Sequence, residues 1–134
     1  MPKWIAGEIM PVPQDDSRAT WSHKITKDDG RITWQKPAEE IERMVRAFTP
    51  WPGAWTMLPD MDVPKRLRID EAEVAFGGDT TERYGYVRPA SGRLLVATGS
   101  GYLEIKKLTL EGKKSMDSRS FVSGYPSIVG SVLV

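Results

Sequence analysis

The sequence contains no cysteine and a single histidine, His23, among 134 residues. The lack of cysteine excludes disulfide bonds, thiolate metal sites and cysteine nucleophiles. One histidine excludes a multi-histidine metal centre and a histidine-based catalytic cluster. A lone histidine in a polar segment is most often a surface residue. We therefore predict neither a metal site nor a catalytic role for His23.

The sequence also lacks an excess of charge and any long apolar run. Its 19 basic and 18 acidic residues give a net charge of +1, so a polyanion site would require cations gathered locally. No apolar segment approaches the ~20 residues of a membrane-spanning helix. The N-terminus has no apolar stretch or cleavage site typical of a secretory signal. We expect a soluble, cytoplasmic protein with no membrane partner.

The residues present are typical of one globular domain, with 40% hydrophobic and 28% charged residues. Residues 1–18 combine three prolines with a polar run, and proline removes backbone donors. We predict a linker-like N-terminal arm over 1–18, with a short edge strand around Ile5 and Ile9 as the alternative. The domain is then expected over residues 19–134.

One clear helix is predicted over residues 37–48. It begins with a proline, which is tolerated at the first helical position, and prolines follow its end. Ile41, Val45 and Phe48 recur at helical spacing and form an apolar stripe. These three side chains are expected to pack against the rest of the domain. A short second helix is predicted over residues 117–123, with Asp117 as its N-cap.

The remaining pattern is mainly β. Strands are predicted from short apolar or alternating runs separated by glycine and proline at residues 54–58, 67–69, 72–76, 93–98 and 102–108, with strand-like pieces at 19–21 and 31–34. The alternation slips at Lys106-Lys107, which suits a β-bulge. Several short strands favour a small barrel or sandwich with one or two helices.

A turn is predicted at residues 28–30, where glycine after two aspartates suits a positive φ. All five tryptophans lie within the first 55 residues. Trp34, Trp51 and Trp55 are predicted in the core or at the helix–sheet junction. Trp21 lies in a polar segment and is the one expected to be exposed.

The sequence carries no recognisable active site. The glycine clusters at 77–78 and 99–101 lie between predicted strands, where hairpin turns explain them better than a phosphate-binding loop. The acidic pairs at 15–16 and 28–29 suit turns better than a cation site, because adjacent residues rarely present both side chains to one ion. These patterns favour a binding domain without catalytic, cofactor-binding or metal-ligating residues.

Three segments resemble the C-terminal domain of methionyl-tRNA formyltransferases. They read PQDDSRATWSHKITKDDGRITW at residues 13–34, PAEEIERMVRAFTPWPGAW at 37–55 and GKKSM at 112–116. The resemblance extends in the same order over nearly the whole chain. It departs from the family at Trp21, Thr33 and Thr49, where tyrosine, aspartate and asparagine are usual.

The resemblance implies a small OB-like β-barrel with a helix packed against it. It also implies binding of initiator methionyl-tRNA through phosphates, in translation initiation and protein biosynthesis. Lys24 and Lys27 match family lysines close to tRNA, and Lys113 and Lys114 match a double-lysine element. Arg31, Lys106 and Lys107 are added on the basis of charge alone. For the two lysines, protection of an exposed strand edge against pairing with another chain is an equally good explanation. The predicted tRNA-binding residues are Lys24, Lys27, Arg31, Lys106, Lys107, Lys113 and Lys114.

The family's formyl-transfer half, which binds 10-formyltetrahydrofolate, has no counterpart in this sequence. The chain alone is therefore expected to be inactive and to hold no cofactor. One alternative is a subunit or fragment of an active formyltransferase, whose partner is a separate formyl-transfer catalytic domain. Another is a protein-interaction module that has lost tRNA binding. Formyltetrahydrofolate dehydrogenases carry a similar module, but residues 46–48 and 50–52 favour the tRNA enzyme.

Overall fold

The computed structural model describes residues 5, 7, 10, 12–58, 63–76 and 80–134. The main elements are α1 (Ala38–Phe48), β1 (Ala54–Leu58), β2 (Lys65–Phe76), β3 (Val87–Ala90), β4 (Arg93–Ala97), β5 (Tyr102–Leu110), β6 (Met116–Asp117) and α2 (Ser118–Gly124). Short 3-10 turns occur at Asp16–Arg18, Asp28–Gly30 and Pro126–Ile128. In this described part, neither helix is long and apolar enough to cross a membrane.

The strands form one antiparallel sheet in the order β1-β2-β5-β4-β3, and β6 pairs with β5. The C-terminal residues bridge its two outer strands. Val134 exchanges backbone hydrogen bonds of 2.7 and 3.2 Å with Met57 of β1, and the N–H of Leu133 donates to the carbonyl of Gly85 just before β3, at 2.9 Å. The tail thus closes the sheet into a barrel. The predicted class, a small mainly β domain with a helix packed against it, is confirmed.

Helix α1 packs on β2 through the apolar stripe predicted from its sequence. Ile41 and Val45 are buried in the core, and Phe48 is half-buried at the end of the helix. The hydroxyl of Thr49 donates to the carbonyl of Val45 at 2.7 Å, which satisfies one of the free carbonyls of the last turn. Helix α2 is also confirmed, with the Asp117 carboxylate accepting from the Ser120 N–H at 2.9 Å.

The strand pattern differs from prediction in three places within the sheet, one of which is the short unpredicted strand β6. Strands predicted at 67–69 and 72–76 are one strand, β2, whose pairing with β5 changes register on both sides of the pair Glu71–Lys107. This irregularity confirms the bulge predicted at Lys106-Lys107. Strand β3 was not predicted, because Pro89 interrupts its pattern; proline is tolerated there because β3 is an outer strand of the ladder.

The strand-like pieces before the helix are not strands. Residues 19–27 are exposed coil or bend, and from 31–34 only Arg31 forms a single β-bridge, to Trp55. Gly30 does not have the expected positive φ. A Cβ on Gly30 would lie 2.1 Å from the Gly53 carbonyl oxygen, so close packing against the start of β1 requires glycine there.

Described residues from 12 to 28 are all exposed, and Gly30 is the first buried residue after them. Ile9 lies outside the described residues, and Ile5 lies in a turn. The division into an arm at 1–18 and a domain at 19–134 stays a prediction.

The tryptophans occupy three kinds of environment. Trp34 is in the core, as predicted, and its indole N–H donates to the buried Thr56 hydroxyl at 3.1 Å. Trp21 is 95% exposed, also as predicted. Trp51 lies at the helix–sheet junction, in the turn between α1 and β1, but it is 57% exposed and therefore not in the core, the other predicted position. Trp55 is buried, but on the outer face of the sheet.

Candidate nucleic-acid interface

Trp55 is covered by basic side chains. The guanidinium carbon of Arg66 lies 4.1 Å from the centroid of the Trp55 ring, and that of Arg31 lies 5.8 Å away. The indole N–H donates to the backbone carbonyl of Lys27 at 2.9 Å. Both distances from an arginine to the ring are within the range of cation–π attraction. In such contacts arginine is the more frequent cation and tryptophan is the best aromatic partner. Trp55 thus gathers three basic residues from two separate parts of the chain.

The β1–β2 register explains why the arginines meet Trp55. Leu67 and Ile69 alternate inward and are buried, so Arg66 and Arg68 point outward from β2. Trp55 pairs directly with Arg68 and lies diagonal to Arg66, within reach of long side chains. We call the surface formed by Lys27, Arg31, Trp51, Trp55, Arg66 and Arg68 the Trp55 surface.

Most cations of this surface have no carboxylate counterpart in the part of the chain that the structure describes. Within the described ranges, no carboxylate lies at ion-pair distance from Lys27, Arg31 or Arg66. Arg68 does pair with Asp70, at 2.7 Å between Nε and Oδ1. All four basic side chains are exposed. The surface therefore presents positive charge that is available to an anion.

Lys24 lies in an exposed segment tied down at one end by Asp29. The Asp29 carboxylate accepts from the Thr26 N–H at 2.7 Å and from its hydroxyl at 2.9 Å. The same carboxylate is 3.3 Å from Nε2 of His23. The hydrogen bond from the Thr26 backbone, followed by that from its hydroxyl, lowers the pKa of Asp29. Asp29 thus orders the turn that precedes the buried Gly30.

Lys113 and Lys114 lie in the exposed turn between β5 and β6. The Lys113 N–H donates to the Leu110 carbonyl at 2.8 Å, and Gly112 has a φ of +77°, which suits glycine. Gly112 also lines a groove on the Trp55 surface, whose walls include Trp51, Trp55 and Arg66. Among the described residues, neither lysine has a carboxylate at ion-pair distance. The turn therefore extends the positive surface from the edge of that groove.

Asp70 connects this turn to Arg68 of β2. Its carboxylate accepts from Arg68 Nε, the Thr109 hydroxyl and the Ser115 hydroxyl, each at 2.7 Å. Burial raises the pKa of Asp70, but the hydrogen bonds from Thr109, Ser115 and Arg68 outweigh it, so the pKa is lowered. Ser115, which follows Lys114, is thereby hydrogen-bonded to β2.

Lys106 and Lys107 lie in a different environment. Nζ of Lys106 is 2.8 Å from Glu104 and 3.2 Å from Glu73, and Nζ of Lys107 is 2.6 Å from Glu71. Hydrogen bonds to these carboxylates raise the pKa of both lysines, most strongly through Glu104 for Lys106 and Glu71 for Lys107. Lys106 lines a separate groove between α1 and β2. We call Lys106 and Lys107 the paired lysines.

Glu104 is the most strongly perturbed carboxylate of the paired region. It is 7% exposed and contacts both Arg93 and Lys106. The hydrogen bond from Arg93 lowers the pKa of Glu104 to about 2, with Lys106 acting in the same direction and burial opposing both. Glu104 therefore holds two cations against the sheet.

Sequence reasoning missed Trp51, Arg66 and Arg68 as members of this surface. Residues 65–68 read KRLR, a basic run that is interrupted by Leu67. Its position next to Trp55 depends on strand pairing, which no local pattern reveals. No group of three or more potential metal-ligating side chains occurs within the described part of the chain.

Comparison with known proteins places the chain in a family. The family "Formyl transferase, C-terminal domain" matches residues 24–126. Methionyl-tRNA formyltransferase of Chloroflexus aurantiacus is 43% identical over 126 residues, covering 92% of this chain and 39% of that protein. The enzyme of Acidobacterium capsulatum is 42% identical over 119 residues, covering 88% and 37%.

The chain spans about two fifths of the length of these relatives. The structure of HypX from Aquifex aeolicus in complex with tetrahydrofolic acid has a TM-score of 0.64 and 18% identity, over 95% of this chain and 22% of that one. At this identity the likeness concerns the fold alone. The resemblance predicted from the sequence motifs is confirmed by the match over residues 24–126. The chain belongs to the formyl transferase C-terminal domain family.

Proposed function

We propose that this chain is a tRNA-binding domain that docks initiator methionyl-tRNA through its sugar–phosphate backbone, in translation initiation. The observation that carries the proposal is the Trp55 surface, where Lys27, Arg31 and Arg66 are exposed, with no carboxylate at ion-pair distance among the described residues, beside the Lys113-Lys114 turn. The relatives' name supplies the substrate, since they are methionyl-tRNA formyltransferases.

Local charge is the physical basis of this docking. The net charge of +1 provides no long-range attraction for RNA. Each cation that neutralises a phosphate releases condensed counterions, so affinity should fall steeply with salt. Phosphate contacts fix orientation without reading sequence. We assign the principal contacts to Lys24, Lys27, Arg31, Lys113 and Lys114.

Lys106 and Lys107 belong to the proposed surface as weaker contributors. Each would have to leave a carboxylate at 2.6 to 3.2 Å before it could meet a phosphate. The exposed pair of Lys107 and Glu71 is worth about 0–1 kcal/mol, so that exchange is feasible but gains little. Lys106 is held more firmly, because its partner Glu104 is buried. These two lysines therefore serve as matched controls for the cations of the Trp55 surface.

In this proposal the chain contributes binding, and bond-making belongs to a formyl-transfer catalytic domain with which it works in the cytoplasm. That domain is either part of the same polypeptide or a separate subunit. Relatives in which the aligned region is about two fifths of the enzyme support this division. A protein-interaction module is the second candidate, favoured by the 95% exposure of Trp21.

The test is fluorescence anisotropy of labelled initiator tRNA titrated with the chain at about 50 and 200 mM salt. An elongator tRNA is titrated in parallel. We expect saturable binding that weakens steeply with salt, and a difference between the two tRNAs would show selectivity. Absence of binding at the lower salt concentration would contradict tRNA docking and favour the interaction module.

A further inference from the structure

Trp51 is a large aromatic side chain that the fold leaves 57% exposed. It forms one wall of a groove of about 310 Å³ on the Trp55 surface, together with Lys27, Arg66 and Arg68. Exposed tryptophan beside arginine and lysine is the combination that proteins use to stack unpaired bases while holding the adjoining phosphates. The groove therefore has the chemistry of a nucleotide site.

The turn that carries Trp51 is fixed at both ends. The Gly53 N–H donates to the Phe48 carbonyl at 2.9 Å, which ties the turn to the end of α1. Gly53 has a φ of +80°, and a Cβ there would lie 2.7 Å from Cδ of Arg68. The turn thus packs closely on an arginine of the same groove. Trp51 is held beside the cations before any ligand arrives.

The two tryptophans of the groove are not equivalent. Arg66 covers the Trp55 ring at 4.1 Å, and Trp55 is only 8% exposed. Trp51 is the aromatic side chain that remains accessible to a base. Asp70 compensates the charge of Arg68, whereas Arg66 and Lys27 have no carboxylate at ion-pair distance within the described part. Glu111 also lines the groove, but its carboxylate accepts from the Arg66 backbone N–H at 3.1 Å.

We propose that this groove binds one unpaired nucleotide of an RNA, with its base stacked on Trp51 and its phosphate on Arg66 and Lys27. The inference rests on the proposed function and adds to it a contact that a fully paired helix cannot make. The groove volume lies at the lower end of small-ligand pockets, which suits a single nucleotide. Stacking uses the face that all bases share, so little base preference is expected.

The experiment compares a short single-stranded RNA with a blunt-ended duplex of the same sequence, by anisotropy at constant salt. The variants are Trp51→Ala, Trp51→Phe and, as a matched exposed tryptophan, Trp21→Ala. We expect Trp51→Ala to weaken single-strand binding about tenfold and duplex binding less than about twofold. Trp51→Phe should restore most of the loss, and Trp21→Ala should change neither. Thermal unfolding of each variant checks that the fold is retained.

Unchanged single-strand binding by Trp51→Ala would overturn the inference. An equal loss for single strand and duplex, or no recovery in Trp51→Phe, would also overturn it, because Trp51 would then act by shaping the surface. The proposed function fails separately, when the unaltered chain does not bind tRNA or when lysine substitutions leave that binding unchanged. Salt-sensitive, lysine-dependent tRNA binding with a silent Trp51→Ala would retain docking and reject stacking alone.

Discussion

The Trp55 surface and the paired lysines present the same kind of side chain in opposite electrostatic settings. Around Trp55, Arg31 and Arg66 rest on an aromatic face, with no carboxylate at ion-pair distance in the described residues. Lys106 and Lys107 instead contact glutamates of β2 and β5 at 2.6 to 3.2 Å. A count of basic residues would treat the two regions alike. The comparison shows that partners, more than positions in the sequence, decide which cations are available to an anion.

The physical difference lies in what each cation loses when a phosphate arrives. A cation stacked on tryptophan keeps its aromatic contact and gives up water and counterions. A paired lysine must also give up its carboxylate, and the carboxylate left behind repels the phosphate. Substitutions in the two regions should therefore affect RNA binding unequally.

The largest effect is expected when both lysines of the β5–β6 turn are removed. We predict that the double variant Lys113→Ala/Lys114→Ala weakens initiator tRNA binding about 20-fold at low salt, because two phosphate contacts are lost. The dependence of log affinity on log salt should become shallower by about 1 to 2. Anisotropy over a salt series measures both quantities. An affinity within about twofold of that of the unaltered chain would contradict the idea that cations without a carboxylate partner are the ones that bind phosphate.

The second prediction concerns the stability of the paired region. Glu104 has a folded pKa of about 2, against an ordinary value of 4.5. Its contribution is fully present above pH 4.5 and is lost as the pH falls toward 2. Glu104→Gln should lower the free energy of unfolding by about 2 kcal/mol at pH 7, since exposure of its partners reduces the full effect.

Urea unfolding at several pH values tests this prediction. The unaltered chain should lose more stability than Glu104→Gln between pH 5 and 2, and the two curves should converge near the acid end. Parallel curves over that range would mean that Glu104 does not stabilise the fold through its charge. Glu42→Gln is a suitable control, because its pair with Arg46 lies within one exposed helix face.

A third prediction exchanges the properties of the two regions. Glu71→Gln removes the carboxylate paired with Lys107, which would make Lys107 resemble the cations near Trp55. We expect tRNA binding to strengthen about two- to threefold at low salt, with the gain lost at high salt. A weaker complex after this substitution would show that pairing does not limit Lys107.

The smallest effect is expected for Lys107→Ala in the otherwise unaltered chain. Its charge is already compensated by Glu71, so tRNA affinity should change less than about twofold. The matched single variant is Lys113→Ala, for which we expect a loss of several-fold in the same anisotropy assay. Equal losses in the two variants would remove the distinction between lysines with and without a carboxylate at ion-pair distance in the described residues.

Much of the fold was predictable because its signals are local. The stripe of Ile41 and Val45, flanked by prolines, identified α1, and Asp117 identified α2. The slip at Lys106-Lys107 marked the irregular register of β5. Strand β3 escaped prediction because Pro89 resembles a break when its outer position in the sheet is unknown.

The candidate site was predictable only in part. Lysines at 24, 27, 113 and 114 follow from resemblance to family motifs, and their exposure agrees with a surface role. The addition of Arg66 and Arg68 required the β1–β2 register, which pairs Trp55 with Arg68 and places Arg66 on the diagonal. The distinction between Trp51 and Trp55 depended on the same packing.

The sequence by itself determined the helices and most strands, because periodicity and capping concern residues close along the chain. It also determined the family, because motifs and their order are read from the sequence directly. Tertiary structure alone decided that residues 133–134 close the barrel between Met57 and Gly85. It also decided that Arg31 and Arg66 contact Trp55, whereas Lys106 and Lys107 pair with glutamates. The reason is physical: ion pairs and cation–π contacts form between side chains a few ångströms apart in space. When these side chains are distant in sequence, no local sequence pattern predicts that they come into contact.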